Sequence, residues 1–511
     1  MTGKKKFRAV RGVRDILPPD SSLWNWFENT AREVLESYNF REIRLPIFEE
    51  TELFARSIGA ETDVVNKEMY SFAVGGIQER QNSLEELVDA VERAWQDGAI
   101  ERTEDNSRRV DRIHQLHREA MSGAGGAAAI THQFGPANTW ERIHAIYDEV
   151  NSLSLKITLR PEATASVVRA YIEHGMQTQP GLVKLFYLGP MFRRERPQKG
   201  RYRQFYQIGA EVLGASDHPA IDAELIEMLT VMLDRAKIKD WKLLINSIGD
   251  ANCRPAYVEM LREELRKVKD QLGPDSQRRT ETNPLRVFDS KLPEEQAIIE
   301  KLPRITDYLC DACKQHFLAL LEQLDLRQIR YTIEPRLVRG LDYYTRTAFE
   351  IAGPHQGAQN ALGGGGRYDG LTEMLGGPPA KGIGFALGED RIIEMIEDAH
   401  SIDAKRPLDV FIAWMGSEAY PAAVRLARRL RGEGLCVELP AEERKLGKAL
   451  NLADRLGARH AVIVGEEELL TGQLTVKRLF GRREPDTPPD RPDKLSEDKL
   501  LEYLSSSERH R

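Results

Sequence analysis

A chain of 511 residues exceeds what a single ordinary core accommodates, so at least two domains are expected. With 30% charged and 41% hydrophobic residues the composition is that of a globular protein, and a net charge of −7 excludes a chain-wide attraction to nucleic acid, so any polyanion site must be local. Four cysteines exclude a disulfide framework and fit a reducing, cytoplasmic setting; the basic N-terminus lacks the apolar core of a secretory signal, and no apolar run of about 18 residues is present to span a membrane.

Residues 22–38 repeat apolar positions at helical spacing (Leu23, Phe27, Ala31, Val34, Leu35, Tyr38). The following REIRLPIFEE reads as a strand that Pro46 confines to an edge or an interface. Residues 73–156 interrupt the pattern with helical stretches, a GAGGAAA linker and the segment WERIHAIYDEV. The flanking EMYSF and LKITLRPE look like two arms of one hairpin, so this span reads as an insertion, net acidic and poorly suited to RNA. The strand 182–193 enters the stretch FRRERPQKGRYRQF, and 204–214 leaves it, giving a hairpin with a basic loop. A helix over 220–238 and a strand over 240–249 precede a mostly helical span at 252–330. Strand patterns return in YTIEPRLVRGLDYYTRTAFEI and NALGGGGRYDGL, and 378–398 runs from strand into helix. Beyond Pro407 strands and helices alternate through residue 480 as a small α/β domain, and 481–511 reads as a polar, Pro-rich tail with a possible short helix.

Several constellations carry chemistry. In FRRERPQKGRYRQF, six of the fourteen residues are basic. Arg193 sits at the end of an apolar strand, where a guanidinium is held rather than free, and Phe205 opens the return strand, so phosphate and a stacked base are suited there. In LVRGLDYYTRTAFEI a buried Arg339 needs a partner, either Asp342 or a ligand. The glycines of LGGGGRYDG belong where something approaches a strand closely. Glu162 and Thr164 in TLRPEATA start a helix, as capping residues or as partners of an ammonium group. Arg391 opens a helix in GIGFALGEDRI, with Glu389 and Asp390 as possible surface partners. Cys310, Cys313, His316 and the distant Cys253 have part of a zinc pattern, but the Cys-x-x-Cys lies in a helical stretch, so buried thiols are the expectation and no metal ligands are assigned.

The order TLRPE, FRRERPQKGRYRQF, LVRGLDYYTRTAFE, GGGGRYDG and GIGFALGEDR resembles the histidyl-tRNA synthetases, a family of class II aminoacyl-tRNA synthetases, over nearly the whole chain outside 73–156. The resemblance implies an α+β fold: a class II antiparallel sheet flanked by helices in a catalytic domain over 1–405, with the unusual insertion 73–156 and the helical insertion 252–330, and an anticodon-binding domain over 406–480. It implies ATP with Mg2+, L-histidine and tRNA(His) as partners, and a homodimer through the motif around REIRLPIFEE. Arg193 and Arg339 would grip the α-phosphate as catalytic residues, Glu195 would read adenine, and Phe205 and Arg391 would sandwich it. Glu162, Thr164 and Gln207 would hold the α-amino group, Glu211 and Tyr344 would meet the imidazole nitrogens, and Tyr343 and Tyr368 would close the pocket. No editing domain is expected. A catalytically inactive, synthetase-like regulatory subunit of ATP phosphoribosyltransferase is the alternative, but such a paralogue would be expected to lose the arginines and the second domain retained here. Three departures stand out. The first is the insertion itself. The second is serine at 276 and 290, where bacterial relatives commonly carry cysteine. The third is Ala449 in place of a common Gln, which puts an anticodon-side contact in doubt. Arg425, Arg428, Arg429 and Arg431 form a basic helix face that meets either RNA phosphates or solvent.

Overall fold

The computed structural model describes residues 7–59, 62, 64–74, 84–98, 100, 102–123, 155–198, 200–354, 361–399, 402, 408–479 and 493–506. The chain divides into two compact units, Met1–Ile402 and Asp403–Arg511. Among the described residues no helix is long and apolar enough to cross a membrane.

The strands of the first unit are, in chain order, β1 (Arg41–Glu42), β2 (Phe48–Glu50), β3 (Tyr70–Val74), β4 (Leu155–Leu159), β5 (Val183–Phe192), β6 (Gln204–Gly214), β7 (Lys242–Ser247), β8 (Thr332–Ile333), β9 (Thr345–Ala352), β10 (Ala361–Arg367) and β11 (Lys381–Gly388). Eight of them form one sheet in the order β1-β5-β6-β11-β10-β9-β7-β8. Its interior pairs are antiparallel, and only the edge pairs β1 with β5 and β7 with β8 are parallel. The β5–β6 hairpin closes at Phe192 opposite Gln204, which leaves the basic segment as its loop.

REIRLPIFEE does not form one strand. Pro46 cannot donate to a ladder, and the chain splits there into β1 on the large sheet and β2 on a second sheet of order β2-β4-β3. The residues bracketing the insertion are paired, Val74 opposite Leu155, so 73–74 and 155–156 belong to the hairpin arms. Beyond the arms, helices Leu84–Gln96 and Glu104–Gly123 share a core of their own that includes Val88, Val91, Val110 and Ile113; the GAGGAAA linker and WERIHAIYDEV lie outside the described residues. Cross-strand register puts Phe48, Leu159, Tyr70, Phe72 and Ile157 on one face of the small sheet, and Phe48 and Phe72 are 56% and 50% exposed, with Ile47 at 46% beside them.

Helix Asp20–Ser37 buries the periodic positions Leu23, Phe27, Ala31, Val34 and Leu35 together with Trp24. The helical span after β7 packs Tyr257, Leu261, Leu265, Ile299, Leu302 and Ile305 into the same core as Ile248 and Ala348 of the sheet side. Helix Pro219–Arg235 buries Asp222 completely. That carboxylate receives Arg367 Nη2 at 2.6 Å and Nε at 3.0 Å from β10, and the Thr347 hydroxyl of β9 at 2.6 Å. A bidentate pair of this kind fixes the helix against two strands, since neither charge has access to water.

In the second unit β12 (Leu408–Trp414), β13 (Val437–Glu438), β14 (Ala458–Val464), β15 (Leu474–Arg478) and β16 (Asp493–Leu495) form a sheet of order β13-β12-β14-β15-β16. Its last strand and the helix Glu497–Ser506 come from the region read as a tail, and Leu500 and Leu504 of that helix enter the core; residues 480–492, including most of GRREPDTPPDRPDK, lie outside the described residues. Ala449 is buried in a core cluster with Phe411, Ala453 and Ala461, so it does not face a ligand. On helix Ala419–Gly432, Arg429 pairs with Glu497 and Asp498, and Arg431 donates to the Val437 carbonyl at 2.9 Å, while Arg425 and Arg428 are exposed.

Replacing Asp222 by alanine leaves the buried Arg367 guanidinium with Asp369, 3.1 Å away, as its remaining ion-pair partner among the described residues. Loss of one partner of such a pair costs about 3–5 kcal/mol. The Asp222→Ala protein is expected to unfold at markedly lower urea than the parent. A midpoint unchanged by the substitution would show that the pair does not hold the helix to the sheet.

Candidate active site

A cavity of about 240 Å³ opens over the middle of the large sheet. Its walls come from the β5–β6 hairpin, the segment before β9, strands β10 and β11, and the start of helix Glu389–Ala399. Ten of the twelve residues predicted from the sequence line it: Glu162, Thr164, Arg193, Glu195, Phe205, Gln207, Arg339, Tyr343, Tyr344 and Arg391. Glu211 and Tyr368 lie immediately behind, tied to the lining by hydrogen bonds.

The two cations are held in place before any ligand arrives. Arg193 donates through Nε to the Pro161 carbonyl at 3.0 Å, and its guanidinium lies 5.3 Å from the centre of the Phe205 ring. Arg339 donates to Glu350 at 3.0 Å and lies 5.7 Å from the Tyr344 ring. Its carboxylate partner is therefore Glu350 on β9; the Asp342 carboxylate is turned to Asn283, 3.0 Å away. Nor does Arg391 pair at the surface with Glu389 or Asp390. It reaches the Ala361 carbonyl at the edge of β10, while Asp390 accepts from the Tyr206 amide at 2.8 Å and from Arg14 at 2.8 Å. Glu195 is paired with Arg201 at 2.9 Å inside the basic loop.

The carboxylates divide by environment. Glu162 accepts the Thr164 and Ala165 amides at 2.7 and 3.0 Å, so it caps the helix Thr164–Glu173 and faces the cavity at once; burial raises its pKa against those hydrogen bonds. Glu211 is fully buried and accepts from the Thr164 and Tyr368 hydroxyls, each at 2.7 Å. Burial, helped by the nearby Glu162 charge, outweighs these donors and raises its pKa from 4.5 to about 8. Burial likewise keeps Tyr343, Tyr344 and Tyr368 neutral, their pKa values raised above the usual phenol.

Close approach is made possible by glycines. A Cβ on Gly384 would stand 1.6 Å from the Glu211 carboxylate, one on Gly382 2.1 Å from the Tyr368 ring, and one on Gly209 2.2 Å from the Tyr187 ring. On β10, a Cβ at Gly364 would meet the Arg339 guanidinium at 2.7 Å, and one at Gly366 would meet Tyr344 at 2.9 Å. The object that the glycine run admits is thus the site's own side chains as well as the cavity.

Sequence reasoning missed several participants. Tyr187 lines the cavity from the middle of β5, where it sits in the continuous apolar run Leu185–Leu188 and gives no separate signal. Arg160, within TLRPE, is a buried tie: it donates to the carbonyls of Pro190, Leu45 and Pro46 at 2.9, 3.0 and 3.2 Å. The N-terminal RGVRD segment braces the basic loop, with the Gly12 carbonyl accepting from the Arg203 amide at 2.7 Å and Arg14 stacked 4.3 Å from the Tyr202 ring. Tyr187 Oη, Gln207 Oε1 and Arg339 Nε are buried at the cavity with no hydrogen-bond partner among the described residues. The cysteines also depart from expectation. Cys310 precedes the helix Asp311–Leu326 instead of lying within it, and Cys253, Cys310 and Cys313 gather around Asp250, whereas His316 turns away to the Asp217 carbonyl at 3.1 Å.

Comparison with known proteins gives concordant matches. Residues 141–392 match the family model described as histidyl-tRNA synthetase, and residues 409–506 the model described as anticodon binding domain. The chain is 47% identical over 476 residues to a histidine–tRNA ligase of Koribacter versatilis, covering 92% of both chains. It is 44% identical to the histidine–tRNA ligase of Solibacter usitatus, covering 92% of this chain and 94% of that one. Among solved structures, the apo S. aureus histidyl-tRNA synthetase matches with a TM-score of 0.69 at 33% identity, covering 98% of this chain and all of that chain (100%).

The raised pKa of Glu211 makes stability depend on pH with a definite sign. The unfolded chain loses this proton near 4.5 and the folded one near 8, so the fold is penalised increasingly as pH rises through that window and by a constant amount above it. Glu211→Gln mimics the neutral carboxyl in shape. Its urea midpoint, relative to the parent, is expected to rise from about pH 5 to about pH 8 and then level off. A difference that stays flat across this range would mean that Glu211 is ionised in the free protein.

Proposed function

The chain belongs to the histidyl-tRNA synthetase family, and from that premise we propose how its residues divide the work. The protein is a histidine–tRNA ligase: it joins L-histidine to ATP as histidyl-adenylate with release of pyrophosphate, then passes the histidyl group to the terminal ribose of tRNA with release of AMP. Its second unit carries the anticodon-binding domain. The observation that carries the assignment of roles is the delivery of Arg193, from the end of β5, and Arg339, from the segment before β9, into one cavity backed by the fully buried Glu211 carboxyl.

In the first step the histidine carboxylate oxygen bonds to the α-phosphorus of ATP as the bond to the pyrophosphate oxygen breaks, the electron pair leaving on pyrophosphate. An anion approaches an anion, so the barrier falls chiefly through positioning and through cations already fixed where charge accumulates. Arg193 and Arg339 supply them as the α-phosphate grips. Held by the Pro161 carbonyl and by Glu350, they need little reorganisation. Phe205 and Arg391 enclose the adenine and Glu195 reads its edge. Mg2+ enters as part of the nucleotide substrate, on the outer phosphates. Among the described residues the cavity holds no cluster of three or more metal-ligating side chains, which suits an ion that keeps its waters and binds through phosphate oxygens.

Glu162, Thr164 and Gln207 hold the α-ammonium group of histidine, with Gln207 Oε1 as an acceptor that has no partner among the described residues. The imidazole lies between Glu211 and Tyr344. A neutral carboxyl at Glu211 donates to the bare ring nitrogen, and the Tyr344 oxygen accepts from the ring N–H, so a neutral imidazole is matched at both nitrogens. An apolar side chain of similar size would leave both groups unpaired in a buried pocket, which is the kind of site that discriminates by about 10⁴–10⁵ without editing.

Ile47 and Phe48 belong to the segment expected to join two copies of the chain, and Phe72 of β3 extends the same exposed face, which supports assembly as a homodimer. The regulatory-subunit reading is not favoured, because the arginines such a paralogue would lose line the cavity here.

Arg339→Ala is expected to lower kcat of histidine-dependent ATP–pyrophosphate exchange by about 10²–10³ with circular dichroism unchanged. Exchange at the parental rate would remove Arg339 from the reaction. Phe48→Glu together with Phe72→Glu is expected to shift the protein from dimer to monomer in light scattering coupled to size exclusion. A parental protein that is already monomeric, or a variant that stays dimeric, would place the interface elsewhere.

A further inference from the structure

Outside the active-site cavity, one cluster of side chains has no part in the chemistry above. The ligand atoms of Asp250, Cys253, Cys310 and Cys313 all lie within 4.8 Å of one another. Asp250 Oδ1 is 3.7 Å from Cys253 Sγ and 4.0 Å from Cys310 Sγ. In a tetrahedral zinc site with Zn–S of about 2.3 Å and Zn–O of about 2.1 Å, ligand atoms stand roughly 3.5–3.8 Å apart. The cluster therefore matches such a site to within about an ångström, which side-chain rotation alone can supply.

The backbone is arranged to bring the four together. Asp250 and Cys253 form one Asp-x-x-Cys turn and Cys310 and Cys313 one Cys-x-x-Cys turn, the two turns being far apart in sequence. Cys253 sits at the start of helix Arg254–Lys267, and Cys310 at the start of helix Asp311–Leu326, with Cys313 in its first turn. Both helices thus begin at the cluster, with their N-terminal ends at the sulfurs. Gly249 has φ +66°, and a Cβ there would stand 2.8 Å from Cys253 Sγ, so the turn closes this tightly only with glycine. Arg346 lies 3.5 Å from the other oxygen of Asp250, a cation beside what would be a net negative centre. A disulfide would use only a pair of the sulfurs and leave the third, and the carboxylate, facing a bond with nothing to coordinate.

We propose that Asp250, Cys253, Cys310 and Cys313 bind one Zn2+ as a closed structural site. Its chemistry is hard–soft mixed, three thiolates and one carboxylate, and all four tetrahedral positions come from protein, so it has no open position for catalysis. Its place gives it a mechanical task. The Gly249 carbonyl accepts from the Arg346 amide at 2.7 Å and the Thr345 hydroxyl at 3.2 Å, and Arg254 donates to the Tyr344 carbonyl at 2.7 Å. The metal would therefore clamp the start of the helical insertion to the start of its last helix, beside the first residues of β9 and behind Tyr344.

The test uses the full-length protein purified under reducing conditions without chelators. Elemental analysis is expected to find about one zinc per chain, falling at least tenfold in Cys310→Ser with Cys313→Ser. Because those variants can fail to fold, the parent protein is also stripped with a chelator and refilled with Co2+. Intense thiolate-to-cobalt absorption in the near ultraviolet with tetrahedral visible bands is expected, and the visible bands are expected to change in Asp250→Ala. Protein that holds no zinc and gives no thiolate–cobalt absorption would overturn the proposal. So would zinc content unaffected by the cysteine substitutions, or a thiol titration in denaturant showing the cysteines cross-linked as purified.

Discussion

The active site depends on stretches of sheet that carry no side chains. Buried polar groups are placed over a β-sheet here at distances that a single methyl group would forbid: Glu211 over Gly384, Tyr368 over Gly382, Tyr187 over Gly209, Arg339 over Gly364 and Tyr344 over Gly366. Glycine in a strand interior is weakening, through lost packing and a larger entropy loss on folding. That weakness is offset by position. The glycines lie on β6, β10 and β11, adjacent strands in the interior of an eight-stranded sheet, with ladders on both sides. Only the centre of a wide sheet holds so bare a floor flat, and the buried Asp222–Arg367 pair anchors the same β10 strand to the helix beneath it.

A bare floor also explains why the site's charges are arranged as they are. Arg339 lies over the bare backbone of Gly364 and beside the Tyr344 ring, and its charge is met by Glu350 of the neighbouring strand β9. Glu211, enclosed on every side, has no cation against it and instead keeps its proton. A half-buried cation paired with a carboxylate and a fully buried carboxyl that stays neutral are the less costly way to place both beside one cavity. The division also sets their proposed tasks, since a fixed cation suits a phosphate and a neutral carboxyl suits a neutral imidazole.

Much of this was legible in the sequence because the informative features are local. The basic hairpin loop, the glycine run and the small C-terminal α/β unit are each contained within one or two neighbouring elements, and their residue types declare them. What escaped depends on contacts between distant segments. Nothing in RGVRD announces that Arg14 will stack on Tyr202 and pair with Asp390, and Tyr187 sits in the apolar run of an ordinary core strand. The partner of Arg339 was sought among adjacent residues at Asp342, whereas a turn into β9 brings Glu350 across. REIRLPIFEE was read as one strand because Pro46 alone does not reveal that its halves join different sheets. Ala449 stood out by residue type alone, and only the packing around Phe411 shows it to be core.

The cysteines show the same limit most sharply, and they connect the helical insertion to the active site. Read along the chain, Cys-x-x-Cys followed by apolar residues at helical spacing is a helix with buried thiols. The helix in fact begins at Asp311, so Cys310 is free to face a turn more than fifty residues upstream. Position relative to the first helical residue decides whether a sulfur points along a packed face or toward a helix end, and sequence patterns locate that residue poorly. Once the ends of both helices are seen to meet behind β9, the insertion is no longer a decoration on the sheet. It contributes Tyr257, Leu261 and Leu265 to the same core as Tyr343 and Tyr344, and Arg254 holds the Tyr344 backbone. Tyr344 is thus positioned from below by the insertion and from the side by the glycines of β10, and a displacement of either would be felt at the ring that is proposed to recognise histidine.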